Sequence, residues 1–165
     1  MVNFSKMKLE ISVNIGGLHL KNPVMPASGT FGYGLEYEEM VPLSQLSAII
    51  TKGLSLKPRE GNPPPRIVET AGGVMNSVGL ENIGIERFIK EELLGIKKHN
   101  IPIIVNIGGE TVAEYEELAG ILDKEGVEAL EVNISCPNVQ KGGAGVGRDP
   151  EIAGSVIERV RKRFN

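Results

Sequence analysis

Cys136 is the only cysteine among 165 residues, and it stands in the stretch EVNISCPNV (131–139), just past an apolar run. Free cysteine is a common core residue, so burial is the default reading of such a thiol. Pro137 and the glycine-rich run 141–147 instead place it on a loop, and loops are seldom buried. A thiol on a loop that closes over substrate suits general acid–base work. Nucleophilic catalysis would need an adjacent imidazole. The two histidines, His19 and His99, fall in a hairpin and at a helix end. With one cysteine and no histidine pair at useful spacing, metal ligation has little support either.

Three other places in the chain end in groups of similar promise. Each strand-like run stops at a small or polar group: Ala27-Ser28-Gly29, Lys52-Gly53, Asn106, and Asn133 shortly before Cys136. In a parallel sheet these carboxyl ends converge on one mouth, where ligands bind. A lysine directly after SAIIT either snorkels to solvent or offers its ammonium to an anion in that mouth. Asn76 sits in GGVMNSVGLEN (72–82), where glycines let backbone donors approach a ligand, or merely form a turn.

The elements that must carry these groups follow from pattern. KLEISVNI (8–15) alternates apolar and polar residues, and Gly16-Gly17 turns it back through Leu18-His19-Leu20 as a hairpin. A short apolar run at 23–26, a short helix over 36–42 and a strand at SAIIT (47–51) follow. Residues 55–85 read mostly as loop, because PREGNPPPR (58–66) cannot form helix interior. Apolar residues at 85, 88, 89, 93 and 96 give a helical stripe. IPIIVNI (101–107) reads as a buried strand, and Thr111 with Glu114 as a capping box for a helix to about Lys124. VEALEVNIS (127–135) is a further strand, KGGAGVG (141–147) a loop, and Asp149-Pro150-Glu151 the start of a last helix to about Arg163.

Strands alternating with helices imply an α/β fold with parallel pairing and right-handed crossovers. Either an open doubly wound sheet or part of a (β/α)8 barrel satisfies the pattern. About four βα units are present, whereas a barrel needs roughly 250 residues. Composition is that of a globular domain, with 41% hydrophobic and 24% charged residues. A net charge of −3, with both signs interspersed, argues against a nucleic-acid or membrane surface. No apolar stretch approaches the ~18 residues of a membrane span. The N-terminus lacks a signal-peptide core, and the single cysteine fits a reducing cytoplasm.

Together ASGTFGYG (27–34), ITKGLSLKPREGNPPPRIVET (50–70), NSVGLEN (76–82) and EVNISCPNV with the following KGG resemble dihydroorotate dehydrogenase of class 1. The resemblance runs from about residue 9 to the end and fits best with class 1B, the NAD-linked subclass, on GTFGYG and KGG. It implies an FMN-containing (β/α)8 TIM barrel that oxidises dihydroorotate to orotate in pyrimidine synthesis. By position, Cys136 would be the base at C5 of dihydroorotate, and Lys52 would touch flavin and substrate. Ala27, Ser28, Gly29, Gly53, Asn106 and Asn133 would line FMN. Asn76, Ser77, Val78, Gly79 and Leu80, with Asn133 and Asn138, would hold the pyrimidine ring and its carboxylate. A cysteine base excludes the membrane-bound class, which uses serine. FAD and a 2Fe-2S cluster would belong to a partner electron-transfer subunit that reduces NAD.

Length departs from the resemblance, since family members run to about twice this size. Residues 1–165 are therefore expected to be the N-terminal half of the barrel: a fragment, a cleaved product, or one half completed by a complementary C-terminal half. Its two open sheet edges lead one to expect a homodimer or that complement. Two other readings compete. A dihydropyrimidine dehydrogenase-like flavoenzyme has a similar S-C-P loop, but histidine tends to stand there where Asn138 stands here. The other is an inert half-barrel that serves only assembly.

Overall fold

Thr111 accepts a hydrogen bond from the backbone N–H of Glu114 at 3.3 Å, and that cap starts the longest crossover helix. A computed structural model describes residues 9–137 and 142–165, and the elements below are those of the described residues. The helix, α3 (Val112–Glu125), ends on Gly126 in the left-handed conformation, as the sequence predicts. Thr111→Ala should lower stability by about 1 kcal/mol, read as a lower urea midpoint at unchanged slope.

α3 connects two parallel strands, β6 (Ile103–Ile107) and β7 (Ala129–Val132). The third strand of that sheet, β3 (Ile49–Ile50), pairs in parallel with the other side of β6. The order β3-β6-β7 follows the chain, so each new strand is added beside the last. That is how a barrel wall grows, whereas a doubly wound sheet reverses at a switch point. The apolar residues on one side of the sheet, Ile103, Val105 and Ile107, are buried with Tyr115, Leu118 and Leu122 of α3. The last helix, α5 (Pro150–Arg163), packs beside α3, and Asp149 caps it by accepting from Glu151 and Ile152. The predicted hairpin is present as β1 (Val13–Ile15) and β2 (Leu18–Leu20).

Five expectations need correction. Residues 23–26 form no strand, because prolines flank the run and its backbone bonds are isolated ones. The Val24 carbonyl accepts from Ser47 N–H at 2.9 Å, and the Val24 N–H donates to the Asn22 side chain. The helix expected over 36–42 is replaced by two 3-10 turns, Leu35–Tyr37 and Leu43–Gln45, with Pro42 between them. The stretch 55–85 contains a second hairpin, β4 (Ile67–Thr70) and β5 (Gly73–Asn76), joined by the two-residue turn Ala71-Gly72. Its β-branched residues carried that signal, but the neighbouring prolines masked it.

The stripe 85–96 is helical, yet its winding is mixed. α1 (Ile85–Arg87) and α2 (Leu94–Lys97) flank a π-helical segment, Phe88–Leu93. The five-residue step from Phe88 to Leu93, both fully buried, is the π spacing itself. The glycine-rich stretch also contains a helical turn, α4 (Ala144–Gly147), whose first N–H donates to the Cys136 carbonyl at 2.9 Å.

Candidate active site

Pairing between β3 and β6 slips by one residue just where Lys52 and Gly53 lie. Ile50 pairs with Ile104, and the next bridge is Leu54 with Ile107, so three intervening residues on one strand oppose two on the other. The ladder is patched by side chain: Thr51 Oγ1 accepts from the Asn106 backbone N–H at 3.1 Å. This is a bulge, the device that re-aims a side chain at the end of a strand. It turns Lys52 and Gly53 into a cleft of about 580 Å³.

Lys52 and Cys136 meet there with the rest of the mouth. The cleft is lined by Ser28 and Gly29, by Lys52 and Gly53, by Asn76 and 78–80, and by half-buried Cys136. These come from four separate stretches of chain, brought together by the sheet and the second hairpin. The Lys52 side chain makes no hydrogen bond or ion pair among the described residues. Neither histidine serves the thiol: His19 bonds Asn14, and His99 faces Glu38 at 3.5 Å.

The other predicted residues stand behind or beside the cleft. Asn106 is buried and Asn133 partly so, and both lie under Gly53. A Cβ on Gly53 would sit 3.0 Å from Asn106 Oδ1 and 3.1 Å from Leu80, so the bare glycine keeps that floor open. The Ala27 carbonyl ties the loop, accepting from Thr30 N at 3.2 Å and Thr30 Oγ1 at 2.7 Å. Ser77 faces Asn62, whose amide donates to its carbonyl at 2.8 Å and its hydroxyl at 3.2 Å. Asn138 lies outside the described residues.

The sequence reading missed the groups that hold this mouth in place. Thr30, Ile67, Val74 and Glu81 complete the lining. Arg66 pairs with Glu81 at 2.6 Å and donates to the carbonyls of Glu60 and Asn62, stitching the proline-rich loop to 76–82. Buried Asn82 accepts from Ser55 and Gly84 backbone N–H groups and donates to the Leu80 carbonyl at 2.7 Å. Leu80 needs that anchor, because its φ of 57° is left-handed and costs about 1–3 kcal/mol in a non-glycine residue. Tyr115 donates to the Asn133 carbonyl at 2.7 Å from beneath, and burial pushes its phenol pKa up. Asn82 follows Glu81, and Tyr115 stands between Glu114 and Glu116, so nothing local marks either as buried or names its partner.

A family model described as dihydroorotate dehydrogenase matches residues 10–165. The chain belongs to the dihydroorotate dehydrogenase family. Among curated proteins, it is 56% identical over 157 residues to the dihydroorotate dehydrogenase B (NAD(+)) catalytic subunit of Pelobacter propionicus, covering 94% of this chain and 52% of that protein. The protein of the same description from Thermoanaerobacter sp. (strain X514) is 51% identical over 154 residues, covering 93% and 51%. The chain thus spans about half the length of the curated dihydroorotate dehydrogenases it matches. A crystal structure of a DHODH from Eimeria tenella in complex with ferulenol superimposes with a TM-score of 0.77 at 21% identity, covering 98% of this chain and 46% of that one. The parallel sheet with its crossover helices is therefore of the TIM-barrel class of the dihydroorotate dehydrogenase family. Among the described residues no helix is long and apolar enough to cross a membrane.

Proposed function

We propose that this chain carries the substrate side of a dihydroorotate-oxidising site, as the N-terminal four βα units of a class 1B barrel in the cytoplasm. The observation that carries this reading is the convergence of Cys136, Lys52 and Asn76 on one cleft of about 580 Å³ beside Gly53. The donor set suits flat heterocycles. Amides of Asn76 and Asn133 match the donors and acceptors of a pyrimidine edge, and Ile67, Val74, Val78 and Leu80 supply apolar wall.

FMN fits the same surroundings: Ala27, Ser28, Gly29, Gly53, Asn106 and Asn133 would hold it, and Lys52 would place a positive charge beside it. When bound, FMN supplies the acceptor for the hydride that leaves C6 of dihydroorotate. Cys136 Sγ takes the proton from C5 of the substrate. The ammonium of Lys52 attracts the substrate carboxylate and any negative charge that develops in the mouth. Asn76 and the backbone of 77–80, with Asn138, orient the ring, and the strained Leu80 keeps that backbone turned inward. Subunit chemistry follows the same reading: FAD and a 2Fe-2S cluster on a partner subunit would relay electrons to NAD.

The sheet edges favour a further partner. β3 and β7 are the outer strands of the three-stranded sheet, and a second cleft of about 910 Å³ beside it is lined by Met25, Ile50, Ile104, Ala129 and Leu130. The remaining βα units would cover this surface, and a homodimer is the other arrangement that protects such edges. The substrate assignment is tested by ligand titration of the chain supplied with FMN. Orotate should perturb the flavin spectrum at micromolar concentration and uracil should not, because uracil lacks the carboxylate. Equal responses to both would turn the reading toward a dihydropyrimidine dehydrogenase-like site.

A further inference from the structure

We propose that Glu131 is a positioning residue that sets the direction of the two site amides, Asn106 and Asn133. The proposal rests on the cleft being the FMN and pyrimidine site. An asparagine amide presents a carbonyl at one end and an NH2 at the other, with nearly the same shape, so its partners decide which way it points. Here both ends of a chain of amides agree. Glu131, on β7, stands directly across from Asn106 in the parallel register, and its carboxylate accepts from Asn106 Nδ2. A carboxylate offers acceptors, so the NH2 of Asn106 must face it.

Asn106 Oδ1 is then turned the other way and accepts from Asn133 Nδ2 at 3.4 Å. That leaves Asn133 Oδ1 to accept from the backbone N–H of Ser135 at 3.3 Å, a group that can only donate. The sequence from acceptor-only carboxylate to donor-only N–H allows one orientation for both amides. The result is felt at Gly53, whose missing side chain uncovers the pair. A Cβ there would lie 3.0 Å from Asn106 Oδ1 and 3.7 Å from Asn133 Nδ2. The floor thus offers an acceptor next to a donor, the complement of a ring edge with adjacent N–H and C=O groups. Reversing Asn133 would set carbonyl on carbonyl and NH2 on N–H, and reversing Asn106 would set its carbonyl on the carboxylate and its NH2 on that of Asn133. Buried polar groups left facing their own kind cost more than the bond gained elsewhere. Glu131 is partly buried and its carboxylate has Asn106 as its hydrogen-bond partner among the described residues.

The test compares Glu131→Leu, which removes the acceptor, with Glu131→Gln, which keeps one. FMN dissociation constants are measured by fluorescence quenching, and the side-chain amide signals of Asn106 and Asn133 by ¹⁵N NMR without ligand. E131L should weaken FMN by roughly tenfold or more and shift the Asn133 amide as well as that of Asn106, while E131Q stays within about threefold of wild type. Wild-type affinity and an unshifted Asn133 amide in E131L would overturn the proposal. Should E131L fail to fold, Asn106→Asp decides. It faces acceptor to acceptor with Glu131 and should lose FMN. The double variant N106D/E131Q, in which the introduced amide donates instead, should regain it. No recovery in the double variant would overturn the proposal. If the wild-type chain binds no FMN at all, the ligand reading fails, and the ligand-free amide signals still decide whether Glu131 orients the pair.

Discussion

Cys136→Ala is expected to keep FMN and orotate bound while slowing flavin reduction by dihydroorotate roughly 10²–10⁴-fold, the usual contribution of a positioned base. The expectation rests on where the thiol stands. It lines the same cleft as Lys52 and Asn76, it is partly open to that cleft, and its own carbonyl anchors α4. The anchor is a backbone bond, so truncating the side chain leaves it in place. Neither histidine reaches the thiol, so no imidazole stands by to activate it as a nucleophile, and the proposed role is that of a base toward C5. Cys136→Ser should recover part of the rate, since a hydroxyl can take the same place with a less acidic proton. Anaerobic stopped-flow reduction separates these effects from binding. Unchanged reduction in C136A would remove the base assignment.

Lys52→Ala should weaken both FMN and orotate by roughly 10–100-fold, the range expected when a charge-assisted hydrogen bond is lost. On the proposed reading both affinities fall together, because one ammonium, carried into the cleft by a bulge at the end of β3, would touch both ligands. Lys52→Arg should not restore them, because the planar guanidinium is larger and is oriented differently from a compact ammonium. Intact affinities in titrations of K52A would show that the lysine is only solvated.

These two side chains were legible in the sequence, and the reasons why others were not are physical. A lysine directly after SAIIT interrupts an apolar run, and a lone cysteine before proline on a glycine-rich loop is as conspicuous. Capping chemistry is equally local, so Thr111 and Gly126 mark both ends of α3 and Asp149 the start of α5. The bulge at Lys52 depends on the register between strands more than fifty residues apart, which no local pattern contains. The same holds for Asn82 and Arg66, whose partners lie 27 and 15 residues away. Glu131 lies inside EVNISCPNV, but a charged residue on a strand names no partner. Only pairing of β6 with β7 places it against Asn106. The π segment shows a subtler limit: apolar spacing located the helix, while a single five-residue step changed how it winds.

Flavin bleaching tests the assigned chemistry most directly. FMN is added to the chain under anaerobic conditions, followed by dihydroorotate, with absorbance read near the flavin maximum. Bleaching by dihydroorotate, and none by dihydrouracil, is the predicted result. A chain that binds FMN and orotate yet shows no bleaching would contradict the catalytic reading, and one that binds neither would make this sheet an assembly module.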